Sequence, residues 1–138
     1  MHVSVLPDKV IEYLDPKAND NFIDCTLGAG GHTFKILEST GSKGEVLAID
    51  QDKEALLRAK EKAKEKKLGA RIVLAEGSFA DVKDIANKEK FRPVKGILFD
   101  LGMSSAQLEE SGRGFTFQKT EPLDMRYSME NPVTAEKI

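Results

Sequence analysis

Short apolar runs alternate with longer amphipathic stretches along the chain. Phe22-Ile23-Asp24-Cys25 reads as a first strand. Val46-Leu47-Ala48-Ile49-Asp50 reads as a second, apolar on both faces, the pattern of a parallel sheet covered by helices on each side. Arg71 to Leu74 predicts a third strand and Val94 to Asp100 a fourth. Leu6 to Leu14 reads as a short leading helix with Pro7 suited to its first turn, and His32 to Ser39 as the helix after strand one. Asp52 is placed to cap the next helix, whose inward stripe is Ala55, Leu56, Ala59 and Ala63. Asp81 to Lys88 is a weaker helix. The order β-α-β-α-β-α-β predicts a doubly wound α/β sheet with right-handed crossovers.

The pattern changes after Leu101. Gly102 to Tyr127 is rich in Ser, Gly and charged residues and reads as a long loop, with a helical turn at Ser105 to Glu110. Loops of that length in compact domains are usually functional or disordered. Thr134 looks like a helix cap, and four residues follow it, so the sequence reads as cut inside a larger protein.

Composition adds bounds. The chain has 138 residues, 40% hydrophobic and 32% charged, which fits one soluble globular unit. No apolar run approaches the ~20 residues of a membrane span. The single cysteine, Cys25, precludes an internal disulfide and fits a reducing cytoplasm. It sits at a strand end with no activating base in its neighbourhood, and reads as a small buried side chain rather than a nucleophile. Net charge is −2, so no global basic signal for nucleic acid exists. Locally, Lys60, Lys64 and Lys67 share one helical stripe, which reads first as a solvated face and second as an RNA-facing patch.

Four constellations carry chemistry, all at predicted strand ends, where doubly wound folds bind ligands. Asp24-Cys-Thr-Leu-Gly28-Ala-Gly30-Gly31-His32 joins strand one to its helix, and its glycines permit positive φ and close approach of a ligand. Asp50 ends strand two, where a carboxylate accepts hydrogen bonds from ribose hydroxyls. Gly77-Ser78-Phe79 follows strand three; Phe79 reads either as a ring against adenine or, with more weight, as core packing. Asp100-Leu-Gly102-Met-Ser104-Ser105-Ala-Gln107 crowds polar groups after strand four, as either a methionine- and substrate-holding loop or a polar helix cap. The glycine turn with Asp50 points to an adenosine ligand. Dinucleotide enzymes place a third glycine where this chain has Thr33. The acidic Asp24 before a looser glycine cluster instead favours S-adenosylmethionine.

The segments HVSVLPDKV, DCTLGAGGHT, AIDQDKEAL, DLGMSSAQL, RGFTF and PLDMRYS occur in this order. Together they resemble successive motifs of the 16S rRNA (cytosine-N4)-methyltransferase family, also called RsmH or MraW, over nearly the whole chain. The resemblance implies a Rossmann-like S-adenosylmethionine-dependent methyltransferase fold, a parallel sheet with helices on both faces, incomplete here. It implies residues 1–107 as the N-terminal part of the cofactor-binding domain and 108–138 as the start of an inserted substrate-recognition domain. Cofactor contacts would fall on Gly30, Gly31, His32, Asp50, Phe79, Asp100 and Gln107, with no metal. The implied reaction is methyl transfer to a cytosine amine of 16S rRNA in the small ribosomal subunit, with Asp100 and Ser104 as candidates to hold the amine proton. The chain lacks the [DNS]PPY signature of DNA amino-methyltransferases, having DLGMSS in its place. Two rival readings are a nucleotide-binding oxidoreductase and a non-catalytic cofactor- or RNA-binding fragment.

Two further expectations follow. Arg113, Lys119 and Arg126, interleaved with Phe115, Phe117 and Tyr127, would either contact RNA or scaffold a further domain. Strand one would be central with strand four beside it, leaving VKGILF as an apolar edge open to self-association.

Overall fold

A computed structural model of the chain describes residues 7–102, 112–114, 128–132 and 134–137. Strands β1 (Phe22–Asp24), β2 (Val46–Asp50), β3 (Ile72–Glu76) and β4 (Gly96–Leu98) are all parallel and stand in the order β3-β2-β1-β4. Four helices accompany them: α1 (Pro7–Leu14), α2 (Gly31–Ser39), α3 (Lys53–Glu65) and α4 (Val82–Lys88). The doubly wound sheet and the central place of β1 match the sequence pattern.

Burial explains the apolar runs. Phe22, Val46 and Ala48 face one side of the sheet, where they pack with Phe34 and Leu37 of α2, Ala59 and Ala63 of α3, and Ile11 and Leu14 of α1. Ile23, Leu47 and Ile49 face the other, against Val82 and Ile85 of α4 and the ring of Phe91. Strand side chains alternate between faces, so the two central strands must be apolar at nearly every position. The buried face of α3 is alanine alone, at positions 55, 59 and 63, which lets its axis lie close to the sheet. Asp52 caps this helix as expected, accepting from the Glu54 amide at 3.0 Å.

Boundaries moved where pairing decided them. β4 covers Gly96–Leu98 rather than 94–100, because its partner β1 has three residues; the Lys95 amide bonds Asn21 and the Leu98 carbonyl receives Cys25 at the two ends of the ladder. β3 begins at Ile72 and runs on to Glu76, in register with all of β2. Arg71 is instead in a 3-10 turn, and its guanidinium donates to the Leu37 and Gly44 carbonyls, both at 2.7 Å. It thereby satisfies a carbonyl near the C-terminus of α2, a group that the helix itself leaves open. Thr134 precedes a single 3-10 turn, Ala135–Lys137.

Strand order runs outward from β1 to β3 and then returns to β4 on β1's other side. The reversal lies between β1 and β4, and a crevice opens beyond the carboxyl ends of strands at such a point. No described strand pairs with the outer edge of β4. Ile97 of β4 and, just past its end, Phe99 and Leu101 are apolar side chains at 45%, 47% and 68% exposure. Among the described residues, no helix is long and apolar enough to cross a membrane.

Candidate cofactor site

The glycine turn is built from β1 outward. Asp24, the last residue of β1, is wholly buried. One carboxylate oxygen accepts from the Thr26 amide at 3.0 Å, a local Asx turn. The other accepts from the Thr33 hydroxyl at 2.6 Å. Asp24 is therefore a brace between strand end and helix, sealed from any ligand. Thr33, which breaks the dinucleotide fingerprint, is the brace's other half. Burial pushes the Asp24 carboxyl above the ordinary range, against the lowering effect of these two bonds.

Gly30 caps α2 at φ +87°, a left-handed conformation that costs other residues. A Cβ built there would sit 2.9 Å from the Phe34 ring. The left-handed backbone and the Phe34 ring both call for glycine here, the positive φ as expected from the sequence. Cys25 is buried, and desolvation with the neighbouring Asp24 charge pushes its thiol up to about 11, so it is no nucleophile.

Asp50 ties this turn to β2. One oxygen accepts from the Gly28 amide and the other from the Asp52 amide, both at 2.9 Å. Burial raises its carboxyl, with the two amides lowering it in part. A carboxylate offers about four acceptor positions, so two backbone bonds leave capacity for ribose hydroxyls. His32 and Asp100, 68 residues apart, meet across the strand reversal at 3.1 Å, and the Asp100 amide donates to the Thr26 hydroxyl at 2.7 Å. The contact is an ion pair when the imidazole is protonated and a hydrogen bond otherwise.

Phe79 is 42% exposed, so its predominant sequence reading as a core residue is corrected. Its ring meets that of Phe99 edge to face, with centroids 5.9 Å apart. The two aromatics stand side by side although β3 and β4 are opposite edges of the sheet. Ser104 and Gln107 lie outside the described residues, as do Lys119, Arg126, Phe115, Phe117 and Tyr127, and the division at residue 107. Arg113 is described, and it is buried at 3% exposure rather than presented to a polyanion. Lys60, Lys64 and Lys67 line an open groove of about 880 Å³ with Ile72 and Leu74. That groove lies by the start of β3, at the end of the sheet away from Asp50 and Asp100.

Of the residues singled out in the sequence, Gly30, Gly31, His32, Asp50 and Asp100 thus converge beyond β1, β2 and β4, with Phe79 at their margin. The Asp24–Thr33 brace, the His32–Asp100 contact and the Thr26–Asp100 bond were not foreseen. The Asp24–Thr33 brace lies within one strand-turn-helix unit, nine residues apart; the two Asp100 contacts join residues whose proximity depends on strand order.

The β3-β2-β1-β4 parallel order, with its glycine turn and strand-end carboxylate at the reversal, places the domain in the Rossmann-like α/β class. The chain belongs to the MraW methylase family, which matches residues 1–138. It is 43% identical over 137 residues to the ribosomal RNA small subunit methyltransferase H of Dehalococcoides mccartyi, covering 99% of this chain and 39% of that protein. With the protein of the same name from Clostridium botulinum it shares 40% identity over 134 residues, 97% of this chain and 42% of the relative. The chain therefore spans about two-fifths of the length of these relatives. Solved structures agree on the fold. A candidate rRNA-methylase from Clostridium thermocellum superposes with TM-score 0.61 at 23% identity, over 77% of this chain and 56% of that one. An O-methyltransferase from Bacillus cereus, solved with S-adenosylhomocysteine, gives 0.54 at 20% identity, over 73% and 43%.

Proposed function

We propose that this chain is the cofactor-binding half of an S-adenosylmethionine-dependent enzyme that methylates N4 of a cytosine in 16S rRNA of the small ribosomal subunit. The observation that carries the reading is the convergence of Asp50, the glycine turn and the His32–Asp100 pair at one strand reversal. The names of the relatives supply the rRNA substrate. Gly30, Gly31 and His32 would border the methionine portion, Asp50 would hold the ribose, and Phe79 would lie against adenine, with Gln107 a further contact. When bound, S-adenosylmethionine supplies a methyl group on a sulfonium, already activated for displacement. The chain's own contribution is alignment. Asp100 Oδ2 is held by His32 and its amide by Thr26, so the carboxylate direction is set before any ligand arrives. Such a preset acceptor can hold an N–H of the cofactor's amine or of the cytosine, and Ser104 remains the second candidate. The cytosine must be presented outside its stack.

The test is calorimetric. S-adenosylhomocysteine is expected to bind and NAD is not. Asp50→Ala is expected to weaken binding roughly 10- to 150-fold, the scale of hydrogen bonds to a charged group. NAD binding, or unchanged affinity in the variant, contradicts the reading. Methyl transfer to small ribosomal subunits, compared between this chain and a full-length relative, separates enzyme from binding fragment; turnover is expected of the relative only.

An RNA-directed enzyme of this kind works in the cytoplasm, and the single buried thiol accords with that setting. The exposed Ile97, Phe99 and Leu101, beside an edge that no described strand pairs with, support self-association of the 138-residue chain through β4. Light scattering is expected to detect dimers or larger species, and Ile97→Lys to shift them towards monomer. A wild-type chain that stays monomeric at high concentration rules this out.

A further inference from the structure

Arg113 lies 61 residues beyond Asp52, yet its guanidinium reaches Asp52 Oδ1 at 3.2 Å and Glu54 Oε2 at 3.3 Å. The Arg113 and Asp52 side chains are 4% and 3% exposed, unlike the chain's surface ion pairs. The residues around Arg113 suit this placement. Gly112 and Gly114 both have left-handed φ, +67° and +76°, and a Cβ on Gly112 would meet nothing within 4 Å. Backbone conformation, and not space, calls for glycine at 112. Arginine burial at such a bend is costly unless a carboxylate receives it.

What it grips matters more. The Asp52 amide donates to Asp50 Oδ1, and Asp50 Oδ2 accepts from Gly28. Arg113, Asp52, Asp50 and Gly28 therefore form one continuous chain of polar contacts into the glycine turn. Asp50 and Asp52 are two residues apart, and the charge on Asp52 acts to raise the Asp50 carboxyl. A guanidinium on Asp52 offsets that charge and fixes the turn from outside. The same first turn of α3 is gripped a second time, by Glu130 on Lys53.

We propose that Arg113 is a positioning residue of the cofactor site: through Asp52 it sets the β2–α3 turn so that Asp50 meets the ribose hydroxyls of an adenosine cofactor. The inference rests on the cofactor reading above and adds to it a residue from the segment beyond Leu101. Cofactor affinity is thereby coupled to the docking of residues 112–114 on the first turn of α3.

The experiment is a double-substitution cycle on this chain, read by calorimetry with S-adenosylhomocysteine, with thermal unfolding followed in parallel. Arg113→Met is expected to weaken binding about tenfold. In an Asp50→Asn background the same change is expected to cost less than about twofold, because its route to the ligand is already cut. Asp52→Asn keeps a side-chain oxygen for the Glu54 amide but loses the charge under Arg113, and is expected to weaken binding in the same direction. It serves if Arg113→Met does not fold. Equal losses in both backgrounds, or full affinity in a folded Arg113→Met or Asp52→Asn protein, overturn the proposal while leaving the cofactor reading intact. Failure of the unsubstituted chain to bind S-adenosylhomocysteine overturns both.

Discussion

Gly30→Val is expected to abolish cofactor binding and to lower stability at the same time. Position 30 holds φ +87°, where a β-branched residue is strained by roughly 1–2 kcal/mol. Its Cβ would press within 2.9 Å of the Phe34 ring, which is buried in the larger core cluster. Overpacking of that kind costs about 1–3 kcal/mol more. The Gly30 carbonyl also receives the Phe34 amide and starts α2, so relief of the clash displaces the turn carrying Gly31 and His32. The melting temperature should fall on the order of 10 °C, with S-adenosylhomocysteine binding undetectable by calorimetry. Gly30→Ala, with fewer atoms, should show a smaller fall in both. Normal stability in Gly30→Val would mean that the turn relaxes freely, and loss of binding would then need a direct steric cause.

Asp24 gives the second large effect, and its sign depends on the replacement. Asp24→Ala leaves the buried Thr33 hydroxyl and the Thr26 amide without their acceptor. The expected loss is about 2–4 kcal/mol, with weakened binding because both partners belong to the glycine turn. Asp24→Asn retains an oxygen for Thr26 and a polar atom for Thr33, and removes the buried charge. Burial raises the native Asp24 carboxyl above its unfolded value. The native state then holds the proton more tightly than the unfolded chain. This contribution to stability is fully present at low pH and is lost as pH rises through the raised value. Asp50 shifts in the same direction, so the wild-type profile contains both. Denaturant unfolding across pH should show Asp24→Asn gaining on wild type as pH rises from the ordinary carboxylate range. A variant that loses ground over that range would show that the ionised carboxylate is better held than its burial implies.

The two substitutions mark where sequence legibility ended. The four strands and four helices could be read from the chain because period and polarity are local. β1 and β2 are apolar at nearly every position, α3 repeats alanine on one face, and glycines interrupt where chain direction changes. Asp52 as a cap and Cys25 as a buried thiol needed only neighbouring residues. The class of ligand was legible too, since a glycine turn and a strand-end acid at fixed spacing are properties of one βαβ unit, and the motif order carried the family.

Tertiary structure decided the rest. Whether β4 pairs along seven residues or three depended on the length of its partner, which no local pattern encodes. His32 and Asp100 meet because β4 returns to lie beside β1, and Phe79 in the turn after β3 meets Phe99 just past β4. Thr33 looked like a missing glycine in sequence; in space its hydroxyl holds a buried acid. Arg113 read in sequence as either an RNA contact or a scaffolding residue; in space it is sealed against Asp52 and Glu54. A side chain's type and neighbours determine what it can bond, and these were written in the sequence. For His32, Phe79 and Arg113, which of several possible partners they meet depends on contacts between residues tens of positions apart, and those exist only once the chain has folded back on itself.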